Sequence, residues 1–344
     1  MPCILSGAGA VACPPPLCCL SVDVEEYFHC EAFARTVAVS QWSSLARRAE
    51  PFLERIGERL AAHGSRATFF VLGWTARYLA PLLRRLAAAG HEIACHGYSH
   101  THLRRLGPAE LANDLRRARG CIEDHLGVRP RGYRAPTFSI TRRTAWALDV
   151  LAAEGFTYDS SIFPVHHDRY GIPGAPVLPF WAEGPSGARL LEFPPLTLEL
   201  GPLRVPLGGG GYLRLLPGAF LRAAVAYRAH RRQPVMLYVH PWELDSQQPA
   251  LPAAWPARWR HRLNLHTTAA KLESLLRRFR FDTAERVLSR FCDGRRLPVM
   301  RVGAPSAGRQ ALPAQVGRTI SKWPPSGTTS ETTCRRLPDG SGGI

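Results

Sequence analysis

Short apolar runs that each stop at a polar or small residue, with helical stripes between them, constrain this chain most. The run at 17–22 stops at Asp23, 67–72 at Gly73, 92–95 at His96, 132–133 at Arg134, 156–158 at Asp159 and 235–239 at His240. Their β-branched and aromatic content suits strands. Between them apolar residues recur at helical spacing: Phe52, Ile56 and Leu60; Leu79, Leu82, Leu83 and Leu86; Leu111, Leu115, Ala118, Ile122 and Leu126. The last stripe has Pro108 at its start and Gly127 past its end. Thr141 is expected to cap a helix through Trp146 and Ala153. The alternation predicts an α/β fold whose sheet is mostly parallel and closed, or nearly closed, into a barrel. Catalytic groups of such folds gather at the C-terminal strand ends. Asp23, His96, Arg134, Asp159 and His240 all fall there.

The 344 residues suffice for one large α/β domain or for two. No apolar stretch approaches a membrane span of ~18 residues. The first 20 residues are apolar, but no basic residue precedes them, so residues 1–16 are read as an N-terminal extension rather than a secretory signal. A cytoplasmic location is expected. The net charge of +17 comes almost wholly from Arg, since Lys occurs only at Lys271 and Lys322. No nucleic-acid motif accompanies that charge, and no nucleic-acid partner is expected. Nine cysteines at irregular spacing do not make a disulfide framework; Cys95 and Cys121 are expected to be buried thiols. From about residue 164 Pro and Gly become frequent. There 208–211 is read as a flexible loop, with helical patterns returning at 217–227 and 267–279. Residues 291–344 lack periodicity and are expected to form a disordered tail.

The chemistry starts at His96-Gly97-Tyr98-Ser99-His100, which follows one apolar run. The acidic cluster Asp23-Val24-Glu25-Glu26 follows another. Two histidines four apart and a carboxylate from a second strand make a three-ligand site for a divalent metal. A fourth position is then left for water. His63, His102, His125, His166 and His230 have no comparable context and are expected at the surface.

Taken in order, these residues resemble the polysaccharide deacetylases, carbohydrate esterases with a NodB-type domain. The pieces are Ser21-Val22-Asp23-Val24-Glu25-Glu26-Tyr27-Phe28, Ala67-Thr68-Phe69-Phe70, the His96–His100 motif, Arg134-Ala135-Pro136, Tyr158-Asp159-Ser160-Ser161 and Leu237-Tyr238-Val239-His240-Pro241. Four local signatures resemble the branch associated with exosortase-type exopolysaccharide loci. They are His167-Asp168-Arg169-Tyr170-Gly171-Ile172-Pro173, the 208–212 loop, His240-Pro241-Trp242-Glu243 and Leu263-Asn264-Leu265-His266.

The resemblance implies a distorted (β/α) barrel over 17–290, with a family-specific part from about 164. It implies removal of N-acetyl groups from amino sugars of an exopolysaccharide or its precursor, and peripheral association with a membrane-bound assembly system. The metal would be zinc, with cobalt or another divalent ion as alternatives. The first aspartate of the first motif, Asp23, would be the general base. Val24 stands where an adjacent Asp is usual, so Glu25 would join His96 and His100 on the metal. Alternation along a strand sets Glu25 on the side of Asp23 and Glu26 away from it. Arg134 would pair with Asp23 and hold it ionised. The backbone N–H of Thr137 would serve an oxyanion. His240, held by Asp159, would protonate the leaving amine. Phe163 would wall an acetyl pocket, and Trp242 is either core or a sugar-stacking platform. Two other readings stay open: an amidohydrolase for a small cyclic amide, and a non-catalytic carbohydrate- or polyanion-binding module.

Overall fold

The computed structural model describes residues 17–303. The apolar runs of the first half form β1 (Cys18–Val24), β2 (Thr68–Val71), β3 (Glu92–Cys95), β4 (Gly132–Tyr133) and β5 (Tyr158–Asp159). The second half adds β6 (Phe180–Glu183), β7 (Arg189–Glu192), the hairpin β8 (Thr197–Leu200) and β9 (Leu203–Pro206), β10 (Val235–Val239) and β11 (Val299–Arg301). Nine strands join in the order β10-β1-β2-β3-β4-β5-β7-β6-β11. All pairs in this sheet are parallel except β6 with β7. Every residue of β1 and β10 is buried, as expected for parallel strands covered on both faces.

The helices are α1 (Ala49–Ala62), the single turn α2 (Gly73–Ala76), α3 (Ala80–Ala88), α4 (Pro108–Leu126), α5 (Trp146–Ala153), the short α6 (Gly211–Leu215), α7 (Gly218–His230), α8 (Trp255–Arg262), α9 (Leu265–Arg278) and α10 (Ala284–Cys292). The stripes read from the sequence are their buried faces, except that in α1 Phe52 is half-buried and Leu53 takes its place. Leu53, Ile56 and Leu60 of α1, Leu82, Leu83 and Leu86 of α3, and Leu111, Leu115, Ala118, Ile122 and Leu126 of α4 are all buried in one core. Gly127 ends α4 at φ 67°, where a side chain would be strained. Thr141 does not cap α5. It opens a turn in which its N–H donates to Thr144 Oγ1 at 2.8 Å, and α5 starts five residues later. Among the described residues, no helix is long and apolar enough to cross a membrane.

The barrel is distorted because its ladder does not close. β10 has β1 on one side only. On its other side the chain after β7 returns through single bonds: Leu196 N–H to the Met236 carbonyl at 2.9 Å, and Tyr238 N–H to the Gly208 carbonyl at 2.7 Å. The segment 208–211 is therefore a seam rather than a flexible loop. A Cβ on Gly209 would lie 1.8 Å from the Tyr238 carbonyl oxygen, so only glycine lets the seam approach β10.

The expected disorder from residue 291 is also corrected. α10 continues to Cys292, and β11 pairs with β6. Val302 is fully buried and donates its N–H to Glu183. An Arg- and Pro-rich approach hid this strand, which is only three residues long. Residues 1–16 and 304–344 lie outside the described residues. Truncation after Asp293 should lower the melting temperature relative to truncation after Gly303, because burying Val302 alone contributes about 1.5–3 kcal/mol. Equal melting temperatures would contradict the docking of 299–303.

Candidate active site

The C-terminal ends of β1, β3, β4 and β10 converge on one cavity of about 400 Å³, lined by Asp23, Glu25, His100, Thr137, Phe138, Tyr238 and His240 among others. Along β1 the side chains of Ser21 and Asp23 share one side. Both meet Arg134 from the end of β4: its Nη1 donates to Ser21 Oγ at 2.7 Å and to Asp23 Oδ1 at 2.6 Å. The guanidinium also reaches the Ser160 carbonyl and Oγ, and lies 4.1 Å from the Phe70 ring centroid. Arg134 is fully buried. A buried cation requires this density of partners.

Glu25 and Glu26 part as alternation predicts. Glu26 turns to the start of α1, where its carboxylate accepts from the N–H groups of Arg48 and Ala49 and from Tyr78 Oη. Glu25 turns into the cavity. Its Oε1 lies 2.9 Å from His96 Nε2 and 3.0 Å from His100 Nε2. The His96 tautomer is set by Nδ1, which donates to the Arg134 carbonyl at 2.8 Å. Its Nε2 then carries a lone pair that faces a carboxylate oxygen. Two acceptors that close repel each other unless a proton or a cation lies between them. Burial opposes the Glu25 charge, but His100 and His240 overcome it and hold this carboxyl well below the usual range. All three side chains are buried, and their donor atoms lie within 4.8 Å of one another. One carboxylate oxygen and two imidazole nitrogens form a suitable donor set for a divalent transition metal. His100 has a left-handed backbone, φ 50°. Asp114 of α4 steadies the loop before it, accepting from Tyr98 N–H at 2.8 Å and Ser99 Oγ at 3.1 Å.

His240 stands beside this group, with Nε2 at 3.8 Å from Asp23 Oδ2 and 4.0 Å from Glu25 Oε1. Its orienting partner is not Asp159. Nδ1 bonds to Glu243 Oε2 at 2.9 Å, and the same oxygen accepts the His240 backbone N–H at 3.0 Å. His240 is thus the N-cap of a short 3₁₀ turn, and Glu243 is its N3 partner. Arg214 of α6 lies 2.9 Å from the other Glu243 oxygen. Burial disfavours charge on His240, yet Glu25, Glu243 and Asp23 push its pKa up to about 9. The ring stacks on Trp242 at 5.0 Å, which stacks on His261 at 4.4 Å. Trp242 is therefore core, although its edge reaches the cavity.

Asp159 pairs across the sheet with Glu192 of β7. Both are fully buried, and each has one oxygen without a conventional donor. A single proton held between those oxygens satisfies both. Burial raises both groups, Asp159 to about 6 and Glu192 well above the usual range, and the Asp159 carboxyl reinforces the effect on Glu192. Around the pair lie Arg134, Ser161 Oγ, which donates to Asp159, and the Ile162 N–H, which donates to Glu192. Phe163 is also displaced from its expected place. It packs behind Phe138 and Tyr170, which with Tyr238 form the cavity wall. Thr137 lines the cavity with φ 57°, a conformation that costs about 1–2 kcal/mol for a residue with a Cβ.

Sequence reasoning missed Glu243, Arg214, Glu192, Asp114 and a buried histidine, His29, stacked 6.4 Å from His100. Glu243 had a local signal, His-Pro-x-Glu as a capping pattern. The others meet the site only through tertiary pairing. Of the histidines expected at the surface, His102 is buried. Its Nδ1 caps a 3₁₀ turn, and its Nε2 meets the Arg169 carbonyl.

The family model "Polysaccharide deacetylase" matches residues 47–158. The chain carries a polysaccharide deacetylase domain. A second family model, a domain of unknown function (DUF3473), matches residues 160–289. His96, His100 and Arg134 lie in the deacetylase domain, Asp23 and Glu25 precede its matched span, and His240 lies in the second. A peptidoglycan-N-acetylglucosamine deacetylase of Bacillus cereus is 30% identical over 121 residues, 32% of this chain and 44% of that protein. A chitooligosaccharide deacetylase of Bradyrhizobium is 38% identical over 94 residues, 27% of this chain and 40% of that protein. The chain thus spans less than half the length of these relatives. Among solved structures, a Mycobacterium smegmatis protein assigned to the polysaccharide deacetylases aligns with TM-score 0.52 at 20% identity, covering 90% of this chain and all of that one. Puue allantoinase aligns with TM-score 0.50 at 15% identity, covering 81% and 94%. Both likenesses concern the fold.

The shared proton of Asp159 and Glu192 has a measurable consequence. Each folded pKa is raised, so folding takes up protons, and stability present at low pH is lost as pH rises through the folded values. Where Glu192 is protonated only in the fold, the loss is about 1.4 kcal/mol per pH unit. Glu192→Gln keeps an acceptor for Ile162 and gives Asp159 a donor. Denaturant unfolding between pH 5 and 8 should therefore show a shallower decline in this variant than in the parent protein. Parallel pH profiles would rule out the shared proton.

Proposed function

We propose that this protein is a metal-dependent hydrolase that removes N-acetyl groups from amino sugars of a saccharide. The single observation that carries the reading is the convergence of Glu25 Oε1 with the Nε2 atoms of His96 and His100, 2.9 and 3.0 Å away, beside Asp23 and His240. The deacetylase domain match and the names of the curated relatives support the same chemistry. Zinc as the ion, and an exopolysaccharide or its precursor as the saccharide, are the finer form of the proposal. Their support is the ligand set and the signatures of the second half.

Glu25, His96 and His100 would hold the ion. A divalent ion there supplies positive charge that polarises the acetamide carbonyl and acidifies water. The chain's own groups handle the protons. Asp23, anchored by Arg134 through Oδ1, keeps Oδ2 free to accept a proton from the water that attacks the carbonyl carbon. The Thr137 N–H donates to the oxygen that gains charge. His240 Nε2 gives its proton to the leaving nitrogen as the C–N bond breaks, so acetate and a free amine result. Glu243 fixes the imidazole for that transfer and stabilises its charged form. In this scheme Asp159 is no relay to His240. With Glu192 it braces β5 against β7 behind Arg134.

His96→Ala is expected to lose metal and acetate release together while remaining folded. Asp23→Asn and His240→Ala should each retain the metal and lower turnover by about 10²–10⁴-fold. Metal content, circular dichroism and acetate release from N-acetylglucosamine oligomers, with a small cyclic amide as comparison substrate, decide the matter. Near-full turnover by His240→Ala on an unactivated acetamide would overturn the assignment of the acid. Cleavage of the cyclic amide alone would overturn the substrate class.

A further inference from the structure

The cavity leads outward from Asp23 and Glu25 to a wall that the reaction scheme leaves unused. Its outer lining includes Trp259 and Arg260 of α8, Leu215 at the end of α6, and Arg169, Tyr170 and His167 of the 166–173 loop. Trp259 and Trp255 stack on each other, with ring centroids 6.5 Å apart and planes at 18°, yet both are more than half exposed. Large aromatic rings rarely remain this open without a partner. Tyr170, in the same lining as Trp259, is stacked on His167 at 3.9 Å and bonded through its hydroxyl to Tyr212 at 3.1 Å.

The charges divide along the same axis. The carboxylates Asp23 and Glu25 lie on the floor, and Glu31, also in the lining, is taken by Arg105. Arg214 is consumed by Glu243 and by the carbonyls of His261 and Leu263. Arg260 differs: among the described residues it has no carboxylate partner, and its Nε reaches only the Pro256 carbonyl at 3.3 Å. Among the described residues the carboxylate partner of Arg169 is the exposed Asp168, at 4.0 Å. The outer wall thus offers flat apolar faces flanked by two available guanidinium groups. Guanidinium groups suit carboxylate and phosphate oxygens, and aromatic faces suit the C–H faces of sugar rings. A cavity of about 400 Å³ is at the small end of ligand sites, and this wall is the exposed part of its lining, open to a saccharide chain longer than its reacting end.

We infer that α8 and the 166–173 loop form a distal subsite that takes an anionic sugar, one bearing a carboxylate or phosphate group, joined to the amino sugar being deacetylated. The inference rests on the deacetylase reading and names its substrate class. A neutral oligosaccharide would stack on Trp259 but leave Arg169 and Arg260 without a partner.

The test compares acetate release from neutral N-acetylglucosamine oligomers with release from oligomers in which N-acetylglucosamine alternates with a uronic acid. The parent protein should favour the anionic series in kcat/KM by about three- to tenfold, chiefly through KM. Added salt should shrink the ratio. The double variant Arg169→Glu, Arg260→Glu should abolish or reverse the ratio. The milder Arg260→Gln should lower it with an unchanged melting temperature. Arg143→Glu, the same kind of charge change on a remote turn, should leave it unaltered. Equal kcat/KM for the two series, or an equal effect of Arg143→Glu, would overturn the subsite. So would loss of binding to phosphatidylglycerol vesicles in Trp255→Ala, Trp259→Ala with both KM values unchanged, since α8 would then serve a lipid surface. Absence of acetate from every oligosaccharide would instead sink the deacetylase reading.

Discussion

The guanidinium of Arg134 is fully enclosed at the top of the barrel, and the candidate site is assembled around it. Its donors tie β1 to β5 through Ser21, Asp23 and Ser160, and its own carbonyl selects the tautomer of His96. The rings of Phe70, Phe138 and Tyr238 surround it at 4.1, 5.2 and 5.6 Å. A cation removed from water costs several kcal/mol unless its hydrogen bonds are met. The barrel meets them with groups that also orient the acid–base pair. Removal of Arg134 would leave Asp23 buried beside Glu25 without its close cation. The charge balance of the cavity would then fail before its shape did.

Three carboxylates and three histidines occupy this small volume, and the geometry gives each a separate task. Glu25 faces two imidazole nitrogens and suits a cation. Asp23 is anchored by one oxygen and open at the other. Glu243 holds His240 from the side away from the cavity. Burial opposes the charges of Glu25 and Glu243. The opposing charges of His100 and His240 at Glu25, and of His240 and Arg214 at Glu243, hold both carboxyl groups below the usual range. The two families matched by the chain divide this arrangement: the histidine pair and Arg134 come from one, and His240 with Glu243 and Arg214 from the other. Neither span closes the site without the other, or without β1.

Much of this was legible because parallel strands end in the residues they present. Six apolar runs predicted β1 to β5 and β10, and the polar residue after each run predicted Asp23, His96, Arg134 and His240. Glu25 came from the resemblance, and strand alternation favoured it over Glu26. Strands β6 to β9 escaped notice because each has only four residues among Pro and Gly. In β6 and β7 the burial pattern arises from pairing with each other. Asp159 was misassigned because sequence shows that a carboxylate ends a strand but not which neighbour it meets. The register of β5 with β7 brings Glu192 to it, and His240 takes its partner from three residues along its own turn.

The central claim is that Glu25, His96 and His100 bind one divalent ion. X-ray absorption at the zinc K-edge of the zinc-loaded protein tests it most directly. The account predicts a first shell of nitrogen and oxygen only, at about 2.0–2.1 Å, with outer-shell scattering from two imidazoles. A sulfur shell at about 2.3 Å, which would bring in Cys30 from the cavity lining, or scattering from fewer than two imidazoles, would contradict it.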